Sequence, residues 1–192
     1  MRLLLVLAGE DHPKACTGRR LLRLGRATLV ARAEGLQPPP IVLDPHAALP
    51  LSRSDRPAAE RGGLLAVDCS WNRLAARGGL PRAPARASGG ASLHRRLPML
   101  VAANPQHYGR VAELNTVEAL SAALYVLGSA SEARELLGGF RGGDGFIEIN
   151  QDRLARYAGA ETPDEVLGRE AELFGGAPVA TPLTRSAERA SR

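Results

Sequence analysis

The chain has 192 residues, 44% of them hydrophobic but only 4% aromatic, so any core must be aliphatic and fills one large domain or two small ones. Its formal net charge is +5, and Lys14 is the only lysine, so arginine carries almost all of the positive charge. Two cysteines, Cys16 and Cys69, and the unpaired histidines His12, His46, His94 and His107 exclude a zinc or iron–sulfur centre, and no stretch approaches the ~20 apolar residues of a membrane helix.

The apolar run 3–8 is too short for a signal-peptide core, and the charged loop Glu10-Asp11-His12 follows at once. It reads as a first buried strand, and the chain as a soluble, cytoplasmic protein. A loop then leads to a helix beginning near Thr17. Pro38-Pro39-Pro40 breaks the chain before a short strand, Ile41–Leu43. Residues 54–61 are helical in pattern, and Gly62-Gly63 opens a strand over Leu64–Asp68. Residues 77–92, rich in Gly, Pro, Ala and Arg, have no apolar period and read as a flexible connection.

A further strand is expected over 99–102, ended by Asn104-Pro105. The rest is helical in pattern. Asn115 and Glu118 form a capping box, with Val117, Leu120, Leu124 and Leu127 on one face. Ser129 and Glu132 start a helix that stops at Gly138-Gly139. Asn150 caps another carrying Leu154 and Tyr157. Thr162-Pro163-Asp164-Glu165 starts a last one whose inner face is Val166, Leu167, Leu173 and Phe174. The expected organisation is an N-terminal α/β domain over 1–88, a largely helical C-terminal domain over 89–175, and a disordered tail over 176–192.

Three clusters carry chemistry. Val67-Asp68-Cys69-Ser70-Trp71-Asn72-Arg73 leaves a buried strand, which is where open α/β sheets place ligands. The only tryptophan beside a carboxylate suits a cationic, partly apolar ligand; the same residues also fit a plain turn, with Asp68 capping it and Trp71 covering a core. Asp11 to Arg20 puts the start of a helix beside cationic side chains, which suits a phosphate or carboxylate, or is simply a capped surface helix. Arg95 to Thr116 forms a loop dense in backbone donors and acceptors, able to read an adenine edge or to serve only as a connection. No Walker A loop or nucleophile elbow is present. The arginine excess fits an RNA partner; a GC-rich coding sequence accounts for the Arg:Lys ratio but not for the positive sign.

The motifs DHPKACTGRRL, VDCSWNR, RLPMLVAANPQHYG and LNTVEALSAALYVLG, in this order, resemble the small-subunit rRNA aminocarboxypropyltransferases, ribosome-biogenesis enzymes of archaea and eukaryotes related to the SPOUT methyltransferases. The resemblance covers Met1 to about Phe174. It implies an α/β fold in which a SPOUT-like trefoil knot forms the cofactor pocket. It also implies transfer of the 3-amino-3-carboxypropyl group of S-adenosylmethionine, without a metal, to N3 of an N1-methylpseudouridine in small-subunit rRNA or the pre-ribosomal subunit. Thr17 would meet the ribose, and main-chain groups of Val67 and Leu97 the nucleoside. Asp68 would face the methionine part and is the candidate base. Trp71 would pack on the apolar stem, while Tyr108, Ala112 and Thr116 close the pocket. Lys14, Arg19, Arg20 and Arg95 would face RNA, and the pocket would be complete in a monomer. The rival readings are a SPOUT-type rRNA methyltransferase and a non-catalytic rRNA-binding assembly factor.

Overall fold

The computed structural model describes residues 1–9, 16–69, 71 and 92–175. Along the chain these form β1 (Leu3–Leu7), α1 (Thr17–Arg23), β2 (Thr28–Leu29), β3 (Ile41–Leu43), α2 (Arg56–Gly62), β4 (Leu64–Asp68) and β5 (Leu93–Arg95). Five helices follow: α3 (Thr116–Val126), α4 (Ala130–Leu137), α5 (Gly143–Ile149), α6 (Gln151–Ala158) and α7 (Pro163–Phe174). The strands make one parallel sheet in the order β2-β1-β4-β3-β5, with Leu7 of β1 directly opposite Asp68 of β4.

Central strands of a parallel sheet are covered on both faces, so they need no polar alternation; hence the nearly unbroken apolar runs of β1, β3 and β4. One face sends Leu3, Leu5, Ile41, Leu43, Leu64 and Ala66 into a core shared with helical residues such as Leu120, Phe146 and Leu154. The other packs Leu4, Val42 and Leu65 against Val30, Ala33 and Leu36. By the two-residue period of a strand, Asp68 lies on the helical side and Val67 on the other. At the α2–β4 corner a Cβ on Gly62 would stand 1.9 Å from the Pro39 carbonyl oxygen, so only glycine allows the approach. Among the described residues no helix is long and apolar enough to cross a membrane.

The trefoil knot expected from the SPOUT resemblance is corrected. The described residues form an α/β fold with an open parallel sheet and a helical layer, and a knot is not shown. A knot is a property of how the chain threads through itself, and no local pattern encodes it.

The segment expected as a strand at 99–102 is extended but pairs only at Val101, in an isolated antiparallel bridge to Val111. Buried side chains take the place of neighbouring strands. Asn150 accepts from the Val101 N–H and donates to its carbonyl, each at 2.8 Å. Glu170 accepts from the Met99 N–H at 2.9 Å while holding Arg96 by two bonds of 2.7 Å. Glu118 accepts from the Ala103 N–H at 2.9 Å and from Asn104 Nδ2 at 2.7 Å. The Tyr157 hydroxyl donates to the Met99 carbonyl, and burial, with the Glu170 charge, pushes it above the ordinary phenol range.

The strand lies instead at β5, an edge position whose polar Leu-His-Arg sequence gives no periodic signal. Helix α5 was likewise unexpected, because it starts in the glycine-rich turn before Phe146. The box at Asn115 and Glu118 and the Thr162 cap are present as read. Asn150 stands at the start of α6 but spends its side chain on Val101 and Phe146. Leu167 faces outward at 38% exposure, and Glu170 is the buried neighbour of Val166. The connection at 77–91 and the tail at 176–192 lie outside the described residues.

Candidate functional site

Beyond β1 the chain moves through α1 outward to β2, while beyond β4 it goes to β5 at the opposite edge. The C-terminal ends of β1 and β4 therefore flank a topological switch point, the crevice where α/β sheets take ligands. Asp68, the last residue of β4, stands there at 7% exposure.

Its carboxylate is held from two sides. The Cys16 thiol donates to Oδ2 at 2.6 Å, and the Thr116 hydroxyl donates to Oδ1. Cys16 caps α1, accepting from the Arg19 N–H at 3.3 Å, and Thr17 is the first helical residue. Thr116 is the first residue of α3, whose cap is Asn115. The carboxylate thus meets the first turns of two helices, where partial positive charge favours an anion. Gly18 completes the enclosure: a Cβ there would lie 2.6 Å from Asp68 Oδ2.

Trp71 is half-buried and donates its indole N–H to the Leu114 carbonyl at 2.9 Å, tying the residues after β4 to the approach to α3. Ala112, two residues before Leu114, has φ 63°, a left-handed conformation that costs a non-glycine residue energy. Its N–H donates to the Leu100 carbonyl at 2.8 Å, which fixes the turn against the 99–102 segment.

The tertiary structure thus brings Cys16, next to Thr17, and Thr116 onto Asp68, and joins Trp71 to Leu114, two residues after Ala112. Val67 lies on the opposite face of β4, packed with the smaller apolar cluster, and Leu97 is half-buried against the main core. Tyr108 is 71% exposed. Arg19 is exposed on α1. Arg20 donates to the Gly139 carbonyl at 2.7 Å with its guanidinium 5.0 Å from the Phe140 ring centroid. Arg95, at 16% side-chain exposure, donates from Nε to both Asp55 oxygens at 3.1 Å. Lys14 lies outside the described residues. Sequence reasoning missed Cys16 and Gly18 as parts of the site. The only local signal was a run of small residues, Cys-Thr-Gly, at a helix start; the Asp68 contact spans 52 positions.

Comparison with known proteins gives a consistent picture. The family pattern described as "Ribosome biogenesis protein, C-terminal" matches residues 41–174. The chain is 44% identical over 172 residues to the 16S rRNA aminocarboxypropyltransferase of Methanopyrus kandleri, covering 89% of this chain and 98% of that one. It is 42% identical over 177 residues to the protein of the same name from Halobacterium salinarum, covering 92% and 99%. Its fold is similar to that of the SAM-dependent rRNA:acp-transferase Tsr3 from Vulcanisaeta distributa, with TM-score 0.81, 39% identity, and 98% of this chain and 96% of that one covered. That α/β likeness, with its parallel sheet, replaces the SPOUT-like knotted pocket expected from the sequence.

Proposed function

Because the chain belongs to the family of the 16S rRNA aminocarboxypropyltransferases, we propose that it transfers the 3-amino-3-carboxypropyl group of S-adenosylmethionine to N3 of an N1-methylpseudouridine in small-subunit rRNA. The chain is an rRNA aminocarboxypropyltransferase. The observation that carries the reading is the buried Asp68 carboxylate, clamped between Cys16 and Thr116 at the switch point of the sheet.

The residues present fit this donor. A fixed carboxylate suits the cationic methionine part. Trp71 spends its N–H on Leu114, and its ring face is the proposed π surface for the cationic sulfonium. In this reading Thr17 meets the ribose, main-chain groups of Val67 and Leu97 border the nucleoside, and Tyr108, Ala112 and Thr116 close the pocket. Bound there, S-adenosylmethionine supplies an electrophilic sulfonium carbon to the acceptor nitrogen.

Asp68 orients the donor, and its rigid setting favours one reacting geometry over the others. Among the described residues each of its oxygens accepts one bond, and the same carboxylate is the group proposed to take the uridine N3 proton. Lys14, Arg19, Arg20 and Arg95 are the proposed RNA contacts, with Arg20 and Arg95 bringing guanidinium groups already anchored by Gly139 and Asp55. The enzyme is proposed to act as a cytoplasmic monomer.

Two labelled donors test the assignment. Label at the methionine carboxyl carbon is expected to enter the rRNA with release of methylthioadenosine, and label at the methyl is not. Methyl label in the RNA with S-adenosylhomocysteine as by-product would make the protein a methyltransferase. Label from neither donor, on RNA carrying the prior modification, would leave an assembly factor.

A further inference from the structure

We propose that Cys16 is a positioning residue of the transfer reaction, acting through Asp68. The inference rests on the reading that Asp68 faces the methionine part of the donor. Cys16 is itself buried, at 6% exposure, and its thiol reaches across from the start of α1 to the end of β4 to donate to Asp68 Oδ2 at 2.6 Å. Thr116 holds the other oxygen, and the absent side chain of Gly18 leaves the space in which the carboxylate lies. Thiol, hydroxyl and glycine are three sides of one cradle, so the direction of the carboxylate is set by the protein before any ligand arrives.

Capping alone is a poor account of a cysteine here. Among the described residues the Sγ accepts from the Arg19 N–H at a long 3.3 Å, and Ser, Thr, Asp or Asn are the residues that favour this position. Fixing Asp68 needs something different: a hydrogen-bond donor at the start of α1 that faces the end of β4. The thiol meets that need in its protonated form, which is also its non-nucleophilic form. A group that donates to the carboxylate therefore does not compete with the RNA for the donor's electrophilic carbon.

The test uses the full chain and measures turnover on rRNA, donor affinity by titration and thermal melting. Cys16→Ala is expected to lower kcat by about 10- to 100-fold, as misplaced reacting groups do, with KM for RNA unchanged. Cys16→Ser, which keeps both a donor and a cap, is expected to recover most of the loss. In an Asp68→Ala background, adding Cys16→Ala should change donor affinity and turnover by less than about twofold, because a residue acting through another is silent once that other is gone.

Wild-type kcat in Cys16→Ala, an equal loss in both backgrounds, or a folded Cys16→Ser with no recovery would each overturn the assignment. If Cys16→Ala does not fold, Cys16→Asp carries the test, since it caps the helix well but repels Asp68. At least a tenfold loss of turnover is expected of it, and wild-type turnover in the folded variant would overturn the proposal. An Asp68→Ala variant with unchanged donor affinity and turnover overturns the reading of Asp68 and this proposal together. A damaged Asp68→Ala beside an intact Cys16→Ala overturns the role of Cys16 alone.

Discussion

A methyl group on Gly18 would come within 2.6 Å of Asp68 Oδ2 and 3.0 Å of the Asp68 Cβ. Alanine is the better helix former, so Gly18→Ala would stabilise α1 if the position were merely helical. With the clash it is expected to cost about 1–3 kcal/mol and to weaken donor binding at least tenfold, which melting and titration of S-adenosylmethionine measure together. Trp71→Ala is expected to lower donor affinity by about tenfold, on the scale of a partly desolvated cation–π contact, while the protein stays folded. Trp71→Phe keeps an aromatic face but loses the bond to Leu114 and part of the ring surface, and should fall between the two. Calorimetric titration of the three proteins checks the order; unchanged affinity in Trp71→Ala would remove the indole from the site. At this scale the placement of Asp68 at a strand end and of Thr116 at a capped helix start was legible in local signals, whereas the pocket role proposed for Thr116 came from the family resemblance. Cys16 was not legible, because its contact with Asp68 follows from the register of β1 against β4.

The segment from Arg96 to Asn104 shows how elements replace one another. Its polar backbone groups are met by Asn150, Glu170 and Glu118, three buried polar residues on the helical side of the molecule. Asn150→Ala would leave the Val101 N–H and carbonyl without these bonds, at about 1–3 kcal/mol for each buried group left unsatisfied. The expected drop in melting temperature is roughly 5–15 °C for a chain of this size. A drop of only a degree or two would mean that water takes over both groups. Caps at Asn115 and Thr162 were readable because cap and partner lie three residues apart. The strand character of 99–102 was misread because an apolar run records burial and not the identity of what satisfies its backbone.

The whole molecule carries a net charge of +5, and the three described arginines proposed to meet RNA differ in how they are held. Arg19 and Arg20 are both exposed, and Arg20 and Arg95 also donate to Gly139 and Asp55. Replacing all three by alanine is expected to lower the slope of log affinity against log salt by about 0.7 for each phosphate of single-stranded RNA that the variant no longer neutralises. Arg19→Ala alone should lower it by one such step and leave the melting temperature unchanged. Arg95→Ala should also melt earlier, because it leaves the buried Asp55 carboxylate without its guanidinium. A triple variant with the wild-type slope and intact donor binding would place the RNA surface elsewhere.

By itself the sequence determined the apolar strands β1, β3 and β4, the capped helices α3 and α7, the position of Asp68 at a strand exit and, through its motifs, the family. Each of these is written in residues a few positions apart, where hydrophobic period, caps and loop chemistry act directly. Only the tertiary structure decided that Asp68 is gripped by Cys16 and Thr116, that buried acids and Asn150 satisfy the 96–104 segment, and that the sheet is open and parallel with β5 at its edge. Those features depend on strand order, register and the packing of residues far apart in the chain, which local propensity leaves undetermined.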